Sequence, residues 1–358
     1  MSKRNFFYIF IGAIIVVILG FIAGNKFFKT STALSRFEFQ KGMTYAAWTK
    51  HGYGNVSSIK SMGELVSLGV KWTALVTTWY QDKADSTEIH PLNEKTPSDK
   101  DLIFSIQKLH ESGIKVMLKP HLDIIVASDG KWRADIEFAG LDDWKKWFES
   151  YGEFILHYAR LAQEEKVELF CIGTELSSTT LNQPDLWRDL INKVRRVYKG
   201  RLTYAANWYE EFEGIRFWND LDYAGIDAYF PLSTSPAPTK SELKDAWKSW
   251  LENIRYWQEL IKKPVIFTEV GYKSSQGAAG EPWQHDPAGS VDLQLQADCY
   301  EALLETFWDE PWFYGVYWWY WGDNPNMGGE THRGFIPQNK PAEEVVGKWY
   351  NKSVPQKN

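Results

Sequence analysis

Two glutamates occupy positions where acid–base and nucleophilic chemistry could take place. Glu175 ends the segment 167–175, and Glu269 ends the segment 264–269. Both segments are short, mostly apolar and rich in residues that favour β-strands, and loop-like sequence follows each of them. A carboxylate at the end of a buried strand costs free energy unless it has partners or a chemical role. Such a pair could divide the work between a general acid and a nucleophile.

The elements that would position this pair alternate between strand and helix patterns. The strands are predicted at 42–48, 72–79, 115–120, 167–174, 202–207, 223–229, 265–269 and 315–319. The helices are predicted at about 56–68, 98–112, 141–165, 184–198, 210–219, 239–262, 291–309 and 341–350. This alternation is typical of parallel strands joined by helical crossovers, and eight repeats predict an α/β fold of the (β/α)8 TIM-barrel type.

In such a barrel Glu175 follows strand four and Glu269 ends strand seven, so both lie on the rim formed by the carboxyl ends of the strands. Glycoside hydrolysis needs a carboxylic acid that protonates the leaving oxygen. When configuration is retained, it also needs a carboxylate that attacks the anomeric carbon. An ion pair at the rim would explain either glutamate alone, but the pair favours catalysis.

Further polar and aromatic residues are predicted at strand ends and in the loops that follow. The chain contains 19 Trp, 18 Tyr and 20 Phe, and aromatic faces can stack on the apolar faces of sugar rings. Trp132 and Trp283 could extend such a surface, although each could equally be structural. The predicted substrate-binding residues are Trp79, Lys119, His121, Asp123, Asn207, Trp208, Asp227, Tyr229 and Trp319.

Three of these residues carry more specific expectations. Lys119 ends an apolar run, so we expect it to have a carboxylate partner. The hydroxyl of Tyr229 could orient the nucleophile. His121 lies near Asp123, but the sequence offers no third metal ligand, so we do not expect a metal site. We also expect no cofactor, because glycoside hydrolysis by two carboxyl groups needs none.

Five motifs give the chain a resemblance to a known family. They are KPHLD at 119–123, GTEL at 173–176, TYAANW at 203–208, GIDAYF at 225–230 and FTEVGY at 267–272. Together they resemble the strand-end motifs of glycoside hydrolase family 113, and the resemblance runs from about residue 42 to residue 350. That family belongs to the clan-A superfamily of retaining enzymes and is known for β-1,4-mannanases.

The resemblance implies that Glu175 is the acid/base and that Glu269 is the nucleophile. One position departs from the wider clan, in which an Asn usually precedes the acid/base and holds the sugar's 2-hydroxyl. Here that position is Thr174. Family 113 is similar in lacking the Asn, so the departure favours the narrower assignment and leaves the partner of the 2-hydroxyl open.

The amino terminus predicts attachment to a membrane. Residues 6–23 are apolar and uncharged, and Lys3 and Arg4 precede them, which favours a transmembrane helix with the remainder outside the cytoplasm. Cleavage as a signal peptide, with secretion, is the alternative. We therefore divide the chain into an anchor or signal segment (1–24), a linker (25–40), the barrel (41–352) and a short tail (353–358).

Several functional classes fit the sequence poorly. The net charge of −6 argues against a nucleic-acid partner, and no phosphate-binding glycine motif is present. We expect a monomer, with both Cys171 and Cys299 as buried thiols. The expected partner is a polysaccharide or oligosaccharide substrate, mannan-type by the resemblance. A glucan or xylan hydrolase and a non-catalytic glycan-binding barrel remain as alternatives.

Overall fold

Eight parallel strands form a closed barrel in the computed structural model, which describes residues 37–127, 130–286, 289–355 and 357. Each strand pairs with its neighbours in sequence, and β8 closes the ring by pairing with β1. The predicted (β/α)8 architecture is therefore confirmed. The strands are β1 (Gln40–Ala46), β2 (Trp72–Gln81), β3 (Lys115–Ile124), β4 (Leu169–Thr174), β5 (Arg201–Asn207), β6 (Ala224–Asp227), β7 (Val265–Val270) and β8 (Phe313–Trp321).

Helices surround the barrel and follow the strands in turn. They are α1 (Val56–Ser67), α2 (Asp99–Glu111), α3 (Leu141–Glu164), α4 (Ser177–Asn182), α5 (Pro184–Val197), α6 (Glu211–Gly214), α7 (Lys240–Ile261), α8 (Leu293–Phe307) and α9 (Pro341–Tyr350). Side chains of Ser98 and Thr239 accept backbone N–H bonds and cap the starts of α2 and α7.

Two elements differ from the sequence prediction. The predicted helix at 210–219 is wrong in extent, because Ile215 is extended and separates the single turn α6 from a one-turn 3₁₀ helix at Trp218–Asp220. The short helix α4 was not predicted. It begins two residues after Glu175, so both differences fall in the segments that border the rim.

Much of the aromatic content packs behind the strands rather than on the rim. The rings of Trp147 and Tyr151 on α3 are stacked with centroids 4.7 Å apart, and both residues are buried. Trp187 on α5 contacts Tyr151 and Tyr204, with ring centroids 5.6 and 5.3 Å apart. This cluster lies against Gly173, so large aromatic side chains support the strand that leads to Glu175.

The predicted membrane segment, residues 6–23, lies outside the described residues. Within the ranges that the structure describes, none of the helices is both long and apolar enough to span a bilayer. Cys171 and Cys299 are both buried and free, as the sequence predicts.

Gly173 leaves no room for a larger side chain, so we predict that Gly173→Ala destabilises the protein. An added Cβ would lie 2.8 Å from the Tyr151 hydroxyl and 2.9 Å from Cη2 of Trp187. Overpacking of this kind costs about 1–3 kcal/mol, which a shift of the urea unfolding midpoint measures. Gly63→Ala on α1 is the matched control, because nothing lies within 4 Å of its Cβ and alanine favours the helix. A Gly173→Ala protein as stable as the control would contradict the prediction.

Candidate active site

A cavity of about 1050 Å³ opens at the carboxyl ends of the strands. Both Glu175 and Glu269 line it, so the two carboxyl groups that the sequence places on one rim meet in one cavity. The aromatic residues in its wall are Trp48, Trp132, Trp208, Tyr209, Tyr229, Trp283, Trp319, Tyr320 and Phe335.

Glu269 is held by donors on both of its carboxylate oxygens. The Lys119 ammonium donates to Oε1 over 2.6 Å, and the Tyr229 hydroxyl donates to Oε2 over 2.9 Å. Nε2 of His121 lies 3.4 Å from Oε1, which is long for a hydrogen bond. Since only 5% of Glu269 is exposed, these contacts fix its orientation.

The same contacts determine the charge of Glu269. Burial by itself raises the pKa of this carboxyl group, but the Lys119 charge and the contact with His121 outweigh burial and hold the pKa below its usual range. Glu269 is therefore an ionised carboxylate at neutral pH.

Lys119 is shared between two carboxyl groups. Its Nζ lies 3.1 Å from Oδ1 of Asp227, and Thr268 donates to the same oxygen over 2.8 Å. Burial and then the charge of Glu269 raise the pKa of Asp227. Because the ammonium lies closer to Glu269, the negative charge is favoured there rather than on Asp227.

Glu175 occupies an unusual backbone position immediately after β4. Its φ is +53°, in the left-handed region that residues other than glycine rarely adopt. Its N–H donates to the carbonyl of Ala205 on β5 over 2.8 Å. Nδ2 of Asn207 donates to Oε1 over 3.4 Å, and 12% of the side chain is exposed. Residues with such strained backbones are concentrated at functional sites.

The protonation of Glu175 is opposite to that of Glu269. Burial is the largest cause of a raised pKa at Glu175; Arg133 lowers this pKa, the Glu269 charge raises it, and the net result is a pKa of about 7. The Arg133 guanidinium lies 3.8 Å from Oε2 of Glu175 and 2.9 Å from Asp123. The cavity thus combines one carboxyl group that holds a proton near neutral pH with one that does not, an arrangement that can support acid catalysis beside a nucleophile.

Most of the predicted substrate-binding residues line this cavity. They are His121, Asp123, Asn207, Trp208, Tyr229 and Trp319, together with the two loop residues Trp132 and Trp283. Trp208 and Trp283 stack with ring centroids 5.3 Å apart, which joins them into one aromatic surface. The His121 and Trp319 rings are parallel, with centroids 6.2 Å apart.

Three predicted residues lie elsewhere, so their expected contact with substrate is not what the structure shows. Trp79 packs on Phe154 of α3 and donates to the Tyr158 hydroxyl, and it does not line the cavity. Lys119 and Asp227 have no exposed surface. They lie behind Glu269, where a buried ammonium and a buried carboxyl group stabilise each other. The expected carboxylate partner of Lys119 is therefore confirmed.

Sequence reasoning missed several residues of the site. Arg133 lies in a 3₁₀ turn between β3 and α3 with no local pattern that marks it as functional, whereas Trp48 ends the predicted strand 42–48, a signal that could have identified it. Phe335 and His285 come from segments far from any predicted strand end. Among the residues described, no group of three or more His, Cys, Asp or Glu side chains could hold a metal ion.

Comparison with known proteins identifies the family. The model of glycoside hydrolase family 113 matches residues 43–340, most of the chain. The chain belongs to glycoside hydrolase family 113. It is therefore a glycoside hydrolase, and the family that the strand-end motifs resemble is confirmed.

Solved structures agree with this family 113 assignment. A family 113 β-mannanase from Alicyclobacillus acidocaldarius in complex with ManMIm is 30% identical, with a TM-score of 0.79 over 88% of this chain and 98% of that one. Another family 113 β-1,4-mannanase is 29% identical, with a TM-score of 0.80 over 88% of this chain and 100% of that one. A β-glucuronidase from Ruminococcus gnavus, 12% identical with a TM-score of 0.61 over 88% of this chain and 50% of that one, shares only the fold. No curated protein sequence matches the chain.

Thr174, the residue before Glu175, is buried. The residue is only 2% exposed and does not line the cavity. The side chain of Thr174 is therefore not presented to the cavity.

The opposite pKa shifts predict opposite effects of two isosteric substitutions on stability. Because the folded-state pKa of Glu175 is raised from 4.5 to about 7, the folded protein binds an extra proton between these values. Its free energy of unfolding therefore falls as the pH rises through that window. Glu175→Gln removes this loss and should stabilise the protein at about pH 8, by on the order of 3 kcal/mol at most.

Glu269→Gln should instead destabilise the protein at the same pH. The lowered pKa of Glu269 contributes stability above its unfolded-state value, and the amide leaves the Lys119 ammonium without its nearer partner. Urea unfolding of the two variants at about pH 8 and pH 5 measures both effects. Shifts of the same sign at the higher pH would show that the protonation states are not as the geometry indicates.

Proposed function

We propose that the protein is a retaining endo-β-1,4-mannanase that hydrolyses mannan-type polysaccharides, with Glu175 as acid/base and Glu269 as nucleophile. The observation that carries this proposal is the pair of carboxyl groups with opposite protonation in one cavity. The substrate class is supported by the β-mannanases among the similar structures, at 29 and 30% identity.

The first chemical step uses both carboxyl groups at once. Glu175 donates its proton to the glycosidic oxygen, and the Glu269 carboxylate attacks the anomeric carbon to form a glycosyl ester. Lys119 and Tyr229 hold the two oxygens of Glu269, so little reorientation is needed before attack.

The second step depends on the loss of the Glu269 charge in the first step. Once Glu269 is esterified, its negative charge no longer raises the pKa of Glu175. Arg133, 3.8 Å away, then favours the ionised form of Glu175. The Glu175 carboxylate can therefore take a proton from water as the water oxygen attacks the anomeric carbon, which displaces the Glu269 carboxylate and releases the sugar with its configuration retained.

The distribution of aromatic residues supports internal cleavage of a polymer. Trp48 follows β1 and contacts Trp319 and Tyr320, with ring centroids 6.0 and 6.5 Å apart. Trp208 follows β5, which lies opposite β1 in the ring of eight strands, and it stacks with Trp283 from the segment after β7. Sugar units could therefore stack on both sides of the cavity, which an endo-acting enzyme requires.

A panel of polysaccharides tests the substrate class. The chain should release reducing ends from β-mannan and should produce a rapid fall in viscosity, as expected of internal cleavage. Higher activity on a β-glucan or a xylan would change the proposed substrate. Binding of mannan without release of reducing ends would indicate a glycan-binding barrel instead.

Azide rescue should distinguish the roles of the two glutamates. Glu175→Ala should still form the glycosyl ester from an aryl glycoside with a good leaving group, because that group needs no proton. Azide then attacks without a general base and should restore turnover to a β-glycosyl azide. Glu269→Ala with azide should give, if anything, the inverted product. Exchanged behaviour of the two variants would reverse the assignment of acid and nucleophile.

We further propose that residues 1–24 anchor the enzyme in a membrane with the barrel outside the cytoplasm. The uncharged run 6–23 and the preceding Lys3 and Arg4 support this orientation. Protease added to intact cells should degrade the barrel. A protected barrel would contradict the orientation, and soluble protein beginning near residue 25 would favour signal cleavage.

A further inference from the structure

A third buried glutamate connects the strand ends beside Glu175. Glu211 begins α6 and has no exposed surface. Its Oε1 accepts hydrogen bonds from the hydroxyls of Tyr204 and Thr180 over 2.7 and 2.8 Å, and its Oε2 accepts the Asn207 N–H over 2.7 Å. These partners are neutral donors, so this carboxylate is stabilised by hydrogen bonds rather than by a cation.

The contacts of Glu211 lead to Glu175 by two routes. On the first route, the Tyr204 hydroxyl that donates to Glu211 accepts the N–H of Leu176 over 2.7 Å. Leu176 directly follows Glu175, so this bond holds the chain immediately after the left-handed residue. On the second route, Glu211 fixes the backbone of Asn207, whose side chain donates to Oε1 of Glu175.

A purely structural role does not account well for this arrangement. Burying a carboxylate is costly, and an apolar residue could fill the same space without that cost. Glu175 in turn has a backbone conformation that costs about 1–3 kcal/mol and persists only where its surroundings enforce it. Glu211 accepts bonds from the Tyr204 hydroxyl, which holds the residue after Glu175, and from the backbone of Asn207, whose side chain donates to the Glu175 carboxyl group.

We propose that Glu211 is a positioning residue that holds Glu175 in its reactive geometry through Tyr204 and Asn207. The inference rests on the proposed role of Glu175 as acid/base. Glu211 does not line the cavity, so its influence acts through these two partners.

Charge gives Glu211 a second effect on the same group. The charged residues that act on Glu175 are Arg133, Glu269, Lys119 and Glu211, and the negative charge of Glu211 raises the pKa of Glu175 after the larger contributions of burial and the other three. Burial raises the pKa of Glu211 itself to about 7, so its charge is present mainly above neutral pH, where it favours the protonated form of Glu175.

Glu211→Gln tests the proposal with two substrates. On mannan, where the leaving group needs a proton, kcat/KM should fall ~10- to 100-fold. On a dinitrophenyl β-mannobioside, whose leaving group needs none, kcat/KM should stay within about threefold. The basic limb of the mannan profile should also move to lower pH, because the charge that raises the pKa of Glu175 is gone.

Glu168→Gln is the matched control. The Glu168 carboxylate also accepts a backbone N–H, from Val116 over 2.9 Å, but at the amino-terminal end of β3. Both substrates and the pH profile should be unchanged in this variant. If Glu211→Gln fails to fold, Tyr204→Phe removes the bond to Leu176 with the least change in shape and should show the same division between substrates.

Equal losses on the two substrates, or no loss on either, would overturn the proposal. The Glu175→Gln variant distinguishes failure of the Glu211 proposal from failure of the proposed function. If Glu175→Gln itself treats the two substrates alike, the acid/base assignment is wrong. If Glu175→Gln discriminates between them but Glu211→Gln and Tyr204→Phe do not, only the role of Glu211 is wrong.

Discussion

The buried ion pair between Lys119 and Glu269 is the interaction on which the site depends. Lys119 has no exposed surface, and its Nζ lies 2.6 Å from Oε1 of Glu269. Removing two charges from water is costly, and a buried pair of this kind is no strong source of stability. What the pair provides is a carboxylate that stays ionised inside a largely apolar barrel. Asp227, Tyr229 and His121 are arranged around it, and each would face a different charge if Lys119 were neutral.

The ionised state of Glu269 also determines the behaviour of Glu175. Burial and the Glu269 charge raise the pKa of Glu175, whereas Arg133 limits the rise, so the group titrates near neutral pH. An acid that titrates near the working pH can give up its proton and then take one back. The two glutamates are therefore electrostatically coupled, and the change of charge at one prepares the other for the next step. The left-handed backbone of Glu175 and the bonds around it maintain that geometry.

The sequence predicted the barrel and the pair of glutamates at its rim because both depend on local patterns. Short apolar runs alternate with amphipathic helices, and Glu175 and Glu269 each end such a run. The sequence could not predict the partners of these residues, because those depend on how loops meet in space. Arg133 reaches Glu175 from the segment between β3 and α3, and Glu211 reaches it through Tyr204 and Asn207. Trp79 shows the opposite error, since a strand-end tryptophan that resembles a sugar platform packs instead on Phe154. Lys119 and Asp227 were correctly placed near the rim, but burial makes them partners of Glu269 rather than of substrate.

Trapping the covalent intermediate tests the account most directly. A mannosyl fluoride with fluorine in place of the hydroxyl on carbon 2 should glycosylate the enzyme quickly, because its anomeric fluoride is a good leaving group. The resulting glycosyl ester should hydrolyse slowly, because the fluorine on carbon 2 destabilises both transition states. Mass spectrometry of the intact protein and of its peptides should then find one sugar, attached to Glu269. A sugar attached to Glu175, or rapid turnover to a product of inverted configuration with no trapped ester, would contradict the account.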